Sequence, residues 1–314
     1  MDAIFALLAR SSFALFNLVA SPRLSILIFH RVHASADALF PREMDAARFD
    51  RLIRFVARSF RVMTLGDAVN CLARGSLPSR ALVITFDDGY ADNAEVALPI
   101  LQRHGLPATF FVSTGFLDGG RMWNDSVIEC LRVSSRPTID LEFAGLGQRT
   151  VDSATERRQA ITALLSHIKY LGLAEREDAI ARLQVACDVE KLPTKLMMTS
   201  PQVREMHRAG MEIGAHTVNH PILTALNAAQ AEDEISAGRD RLQSIIDAPV
   251  DLFAYPNGKP DRDYDDSHVQ LLKKLGFRAA VSTAPGVSQT SDDLLQLPRF
   301  TPWGDSLATW ATRL

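Results

Sequence analysis

Apolar residues along the chain fall into short dense runs that alternate with amphipathic stretches. The run at 24–30 (LSILIFH) is almost continuously apolar, and so is 82–86 at the start of LVITFDDGY. Strands buried on both faces of a parallel sheet read this way. Phe49, Leu52, Ile53 and Val56 recur at helical spacing and predict a helix over 45–59. A short strand at 63–65 and a short helix over 67–73 follow. A helix near 91–104 ends at Gly105, and 107–112 (PATFFV) predicts the next strand. After Pro201 the same rhythm returns. It predicts a helix to Ala209, a strand over 211–215, a helix over 227–246 and a strand over 251–255. A helix over 266–275 stopped by Gly276 and strands over 277–282 and 295–300 complete it.

Strand and helix thus alternate about seven times, which argues for a parallel sheet or barrel. Residues 119–199 break the rhythm: strand signals are weak there, and helical ones dominate from 153 to 187. That stretch is too long for an ordinary connection and predicts a mainly helical insertion. Chemically capable side chains gather just after the predicted strands: His30, Asp87, Asp88, His216 and Asn257. In a parallel barrel those positions share the C-terminal face, where active sites form.

Residues 1–23 stand apart. The apolar stretch 4–20 is interrupted by Arg10, Ser11, Ser12 and Asn17, so it is too broken to span a bilayer. Asp2 replaces the positive charge that opens a secretory signal, and Pro22 suits a cleavage site poorly. The expectation is a retained helix that packs on the domain or lies on a membrane surface, with a cleaved export signal as the alternative. The domain proper then runs over 24–314.

The chain has 314 residues, 47% of them hydrophobic, and a formal net charge of −3. A sizeable core is within reach, and nothing basic suggests nucleic acid. Cys71, Cys130 and Cys187 are too few and too scattered for a disulfide framework. They read as free thiols in a reducing compartment, hence a cytoplasmic or cytoplasmic-membrane location, with the periplasm as the alternative.

Two stretches carry candidate chemistry. Asp87 and Asp88 end the second apolar run, and successive side chains on extended backbone point opposite ways. Adjacent carboxylates can therefore do two jobs at one site, one on a metal and one on a proton. The plainer alternative is a helix N-cap, which accounts for one aspartate and not the other. Far away, 211–215 delivers His216 and His220, which share a face if the segment turns helically. Two imidazoles and one carboxylate leave positions open on a divalent metal, the pattern of a catalytic site. Trp123, Asn124 and Asp125 stand at the entrance of the insertion. They either line a sugar site or serve as a core plug and a cap.

Together the two stretches resemble the polysaccharide deacetylase family, carbohydrate esterase family 4. Its first motif, T-F-D-D-G, is matched by Thr85 to Gly89, and its second, H-[ST]-x-x-H, by His216, Thr217 and His220. The resemblance covers roughly 24–300. It implies a distorted (β/α) barrel with fewer than eight strands. It also implies a divalent metal, usually zinc, on Asp88, His216 and His220, and a general base at Asp87. The stretch 253–258 (FAYPNG) stands at the third motif, where the backbone N–H of Asn257 would help hold an oxyanion. Tyr90, Tyr255 and Trp123 are candidate substrate contacts.

The sequence departs from the family pattern twice. Ala254 stands where many members place an arginine that orients the base, and Arg299 where they place a histidine acid. Arginine gives up no proton near neutral pH. His30 is then a candidate acid, the alternatives being that it only shapes the site through local hydrogen bonds and that Asp87 serves as both base and acid. Arg299 would bind a substrate anion or pair with Asp87. The implied activity is metal-dependent removal of N-acetyl groups from an amino sugar in a glycan or glycan precursor. The alternatives are a carbohydrate-binding relative of weak activity, and an amidase or deformylase acting on a small or lipid-linked C–N substrate.

Overall fold

A computed structural model describes residues 23–302. The expected N-terminal helix and its membrane contact fall on residues outside this range. Among the described residues no helix is long and apolar enough to cross a membrane.

The first half of the chain lays down β1 (Leu24–Phe29), β2 (Arg61–Val62), β3 (Ala81–Phe86) and β4 (Thr109–Val112). Between them run helices α1 (Ala46–Ser59), α2 (Leu65–Ala73) and α3 (Leu98–Arg103), the last entered through a π-turn over Asn93–Ala97. Asp45 caps α1 by accepting from the Arg48 amide, and the predicted stripe Phe49, Leu52, Ile53 and Val56 is its buried face. The short strand expected at 63–65 lies instead at Arg61–Val62, because Thr64 caps α2 by accepting from the Asp67 amide.

The insertion follows. It contains α4 (Trp123–Val133), an antiparallel hairpin of β5 (Thr138–Asp140) and β6 (Gln148–Thr150), α5 (Ala154–Ile168) and α6 (Leu173–Cys187). It buries a core of its own around Val127, Leu131, Ile161, Leu164 and Leu183, with the thiols of Cys130 and Cys187 free inside it. The second half of the barrel is α7 (Ser200–Arg208), β7 (Glu212–Ala215), α8 (Ala228–Ile246), β8 (Leu252–Ala254), α9 (Asp266–Lys274) and β9 (Ala279–Val281).

Seven strands form one curled sheet in the order β1-β3-β4-β7-β8-β9, with β2 also on β3, and every pairing is parallel. Side chains alternate between its two faces. Leu24, Ile26, Val83, Phe111, Ala254 and Val281 fill the barrel interior. Leu27, Phe29, Ile84, Phe86 and Phe110 face the helices. Phe29, Phe86 and Phe110 are register partners on three neighbouring strands. Their rings stack at 5.2 and 4.7 Å, and Phe49 of α1 meets the first two edge-on. This aromatic row ends β1 and β3 and stands two residues before the end of β4.

The stretch expected as a strand at 295–300 is not one. It makes isolated bridges, Leu297 with Val281 of β9 and Phe300 with Leu27 of β1. Pro298, between them, has no N–H to donate to a ladder. The Leu297 amide donates to the Ala280 carbonyl and the Phe300 amide to that of Ile26, so this irregular segment joins the two edges of the sheet and closes the ring.

Gly214 marks where β7 runs tight against β4. A Cβ there would lie 2.4 Å from Cδ1 of the fully buried Phe111 and 3.2 Å from the Leu252 carbonyl oxygen. Gly214→Ala is expected to lower stability by about 1–3 kcal/mol through overpacking, read as a shifted urea midpoint at unchanged slope.

Candidate active site

Asp87 continues β3 by one residue, its amide donating to the Phe29 carbonyl at 2.9 Å. Alternation points it inward, on the side of Val83 and Thr85. There it meets Arg299, which the closing segment aims at it: Nη1 and Nη2 donate to the two carboxylate oxygens at 2.8 and 2.7 Å. Arg299 is itself held by the Ser282 carbonyl through Nε and by the Thr85 hydroxyl through Nη1. Both partners are almost completely enclosed. Burial alone would raise the Asp87 carboxyl. The guanidinium, with His216 and His30 nearby, outweighs it and holds Asp87 below the usual carboxylate range. Of the two roles open to Arg299, the geometry is that of the ion pair.

The chain then leaves the strand through two left-handed residues, Asp88 at φ 76° and Gly89 at φ 90°. Gly89 suits that conformation and has a second reason to lack a side chain: a Cβ would lie 2.8 Å from Val112 Cγ1. Asp88 is no helix cap. It is buried, and its Oδ1 has no hydrogen-bond partner.

His216 follows β7 directly, with Nδ1 2.7 Å from the Ala254 carbonyl oxygen. That carbonyl can only accept, so Nδ1 carries the proton and Nε2 faces Asp88. The loop to His220 is not helical. Thr217 and His220 adopt φ 65° and 51°, and the Thr217 hydroxyl oxygen accepts from the His220 amide. The two rings end 4.7 Å apart through left-handed turns and not through a shared helix face.

Each Nε2 lies 3.4 Å from Asp88 Oδ1. This is long for an N–H···O bond. It matches the roughly 3.3 Å between neighbouring donors around a tetrahedral ion with about 2.0–2.1 Å bonds. The three donors lie within 4.8 Å of one another, all buried, and Nδ1 of His220 is also unpartnered. Burial lowers His220 to about 3, so it offers a lone pair. Burial also lowers His216, but Asp88 and the Ala254 carbonyl outweigh this and leave it raised, so a cation must displace a proton there. The residues present fit a divalent metal.

The other expected site residues are distributed as follows. His30 is exposed just beyond β1, close enough for its charge to be felt at Asp87 and Asp88. Asn257 sits at φ 58° after β8, and its carbonyl accepts from the Thr283 hydroxyl. Tyr255 does not reach an open surface: it is fully buried, stacked 3.7 Å on Tyr264, with its hydroxyl donating to the Leu295 carbonyl. Tyr90 is buried too. Its hydroxyl donates to Asp125 and accepts from Asn124, and Arg31 covers its ring at 4.7 Å. Asp125 is therefore no cap, and burial pushes it up to about 7. Trp123 is half-buried at the edge of the insertion's core, under the Arg176 guanidinium.

Two attachments were not legible in the sequence. Glu234 of α8 accepts from the amides of Val218 and Asn219 and from the Asn219 side chain, and so fixes the histidine loop. Nothing in the spacing of the α8 residues marks that glutamate among the others. The far end of the insertion also grips the aspartate turn: the Ala91 amide donates to Leu196 and the Met198 amide to Gly89. With Asn124 at its near end, the insertion holds Gly89–Ala91 from both sides.

The sequence profile of the family described as polysaccharide deacetylase matches residues 74–134 and 178–280. The gap between the two segments covers the hairpin, α5 and the first turn of α6. A Bacillus subtilis protein named "Putative polysaccharide deacetylase YxkH" is 20% identical over 279 residues, 88% of this chain and 70% of that one. Among solved structures, the Streptococcus pyogenes deacetylase PplD in complex with acetate is similar at TM-score 0.59 and 20% identity, over 90% of this chain and 94% of its own. IcaB from Ammonifex degensii gives 0.59 and 20% over 92% and 97%. A de-N-acetylase from Aggregatibacter actinomycetemcomitans gives 0.58 and 18% over 93% and 100%. At these identities the structural likeness is one of fold.

Glu234→Ala would leave two amides and a carboxamide without their acceptor. It is expected to weaken divalent-metal affinity by about 10–100-fold with the fold intact, measured by competition with a chromophoric chelator beside circular dichroism.

Proposed function

Because the chain belongs to the polysaccharide deacetylase family, we propose that it hydrolyses N-acetyl groups on amino sugars of a glycan or glycan precursor, with a divalent metal on Asp88, His216 and His220. The observation that carries this reading is the pairing of two features at one strand end. One is a buried carboxylate locked to Arg299, and the other is a buried donor trio whose separations suit an ion. Two imidazoles and a carboxylate favour zinc. A de-N-acetylase and a deacetylase solved with acetate stand among the structural relatives, which favours an acetyl over a formyl group.

When bound, the metal supplies Lewis-acid polarisation of the acetamide carbonyl and a lowered pKa for water. The protein's own residues divide the rest. Asp87, kept ionised and fixed in orientation by Arg299, takes the proton of the attacking water. The Asn257 N–H is offered to the oxygen that gains charge. His30, exposed on the same face, gives the departing amine its proton, since an amine leaves and an amide anion does not.

The test is acetate release from N-acetylglucosamine oligomers, lost on chelation and restored by a divalent ion. Asp87→Asn is expected to retain metal and lower kcat by about 10²–10⁴-fold. A near-normal rate would remove Asp87 from the chemistry.

The pH profile separates the two neighbours. In Arg299→Met, burial acts on Asp87 without its largest opposing charge, so its pKa rises. The base must be ionised, so the acidic limb of kcat/KM is expected to move to higher pH. In His30→Gln the basic limb should disappear with metal content unchanged, and a profile identical to the wild type would exclude His30 as the acid.

A further inference from the structure

Arg176 of α6 is 5% exposed, yet it forms no ion pair among the described residues. Its Nη2 donates to the Lys169 carbonyl at 3.3 Å, its guanidinium lies 4.9 Å from the Trp123 ring centroid, and its buried Nε has no partner. Burial lowers its pKa, with no acid to oppose the effect. An enclosed, unpaired guanidinium is costly and calls for a counter-anion.

More positive charge converges beside it. Lys169 and Arg262 stand at 5.6 and 5.3 Å from the centroid of the exposed Tyr170 ring. Lys259 and Arg262 lie on the exposed loop that follows Asn257 and Gly258. Burial depresses Lys169 against the opposing charge of Asp263, and the charges of Lys259 and Arg262 add to the depression. Asp263 is fully buried and its Oδ2 accepts from the Lys259 amide, while Asp261, between Lys259 and Arg262, is exposed and forms no ion pair with them among the described residues. None of Lys169, Lys259 and Arg262 forms an ion pair among the described residues.

The cluster adjoins the site at both ends. Arg176 rests on Trp123, whose neighbour Asn124 bonds to the Tyr90 hydroxyl, two residues from Asp88. Lys259 follows directly on the Asn257–Gly258 turn. The cations therefore bridge the insertion and the loop after β8 along one rim.

We propose that Arg176, Lys169, Arg262 and Lys259 form an oxyanion subsite, with Tyr170 and Trp123 offering ring faces to sugar. The enzyme's substrate is then an anionic glycan, bearing a phosphate or a carboxylate near the acetamide. This rests on the deacetylase reading and narrows its substrate class.

Binding is measured first, on the metal-loaded Asp87→Asn protein, so that turnover plays no part. The probes are N-acetylglucosamine 1-phosphate, an N-acetylglucosamine–uronate disaccharide, neutral chitobiose and inorganic phosphate. At least one anionic sugar is expected to bind about 10–100-fold more tightly than chitobiose, with the preference shrinking as salt rises. The sugar that gains identifies phosphate or carboxylate as the group, and inorganic phosphate binding equally well would assign the site to free phosphate. Lys169→Ala/Arg262→Ala, which removes one half-buried and one exposed charge outside the barrel core, should bring the anionic-to-neutral ratio close to one. Arg176→Met should do the same with an unchanged or higher Tm, because it removes an unpaired charge.

Equal affinity for all four probes in the parent protein overturns the subsite, and so does a ratio unmoved by the double variant. An anionic preference without acetate release by the wild-type enzyme leaves the subsite standing and removes the deacetylase reading. Acetate release without any preference does the reverse.

Discussion

The Arg299–Asp87 pair is the contact that ties the closing of the barrel to the candidate site. Its members are 212 residues apart and enclosed in the barrel interior. The Arg299 position is fixed only because the irregular segment around it bonds to β9 on one side and β1 on the other. The pair is thus a consequence of ring closure. In return, closure neutralises a carboxylate that burial would otherwise push toward its protonated form. The cation arrives from the irregular closing segment, and Ala254 presents its carbonyl to His216.

Backbone strain gathers around the same point. Asp88, Thr217, His220 and Asn257 are non-glycine residues with φ between 51° and 76°. Each such residue costs on the order of 1–3 kcal/mol and persists only where its surroundings over-determine it. Those surroundings are specific. Glu234 holds the histidine loop from α8, the Ser113 hydroxyl donates to the His216 carbonyl, and the Ser113 amide donates to that of Asp88. The helical insertion adds its two bonds to the turn after Asp88. The donor trio is preorganised because three separate elements oppose relaxation of its loops.

Much of this was legible in the chain. The buried runs at 24–30 and 82–86 became β1 and β3 within one residue, and the helix stripes at 45–59 and 227–246 became α1 and α8. A period of two or of 3.6 is a local property, and local pattern is what a sequence displays. The Asp87–Asp88 and His216–His220 motifs were visible because residue type and position after a strand suffice to mark them. What failed depended on tertiary partners. Tyr255 reads as a surface aromatic after a strand, but Tyr264 and Leu295 enclose it. The stretch at 295–300 reads as a strand, but Pro298 reduces it to two bridges. Glu234 carries no mark in its own helix, because its importance lies in the loop that it accepts from.

The closing segment also has a meaning for synthesis. Ribosomes deliver chains from the N-terminus at about 5–20 residues per second, and domains fold as their parts emerge. The strands β1 to β9 can pair before residues 294–300 exist, but the nascent sheet then has two open edges and an aspartate without its guanidinium. Pairing of such long sequence separation is slow and forms late. A chain cut short before that segment retains Asp88, His216 and His220 and still lacks a closed, charge-neutral interior. Emergence of the closing segment is therefore the step that both closes the sheet and supplies the charge that balances Asp87.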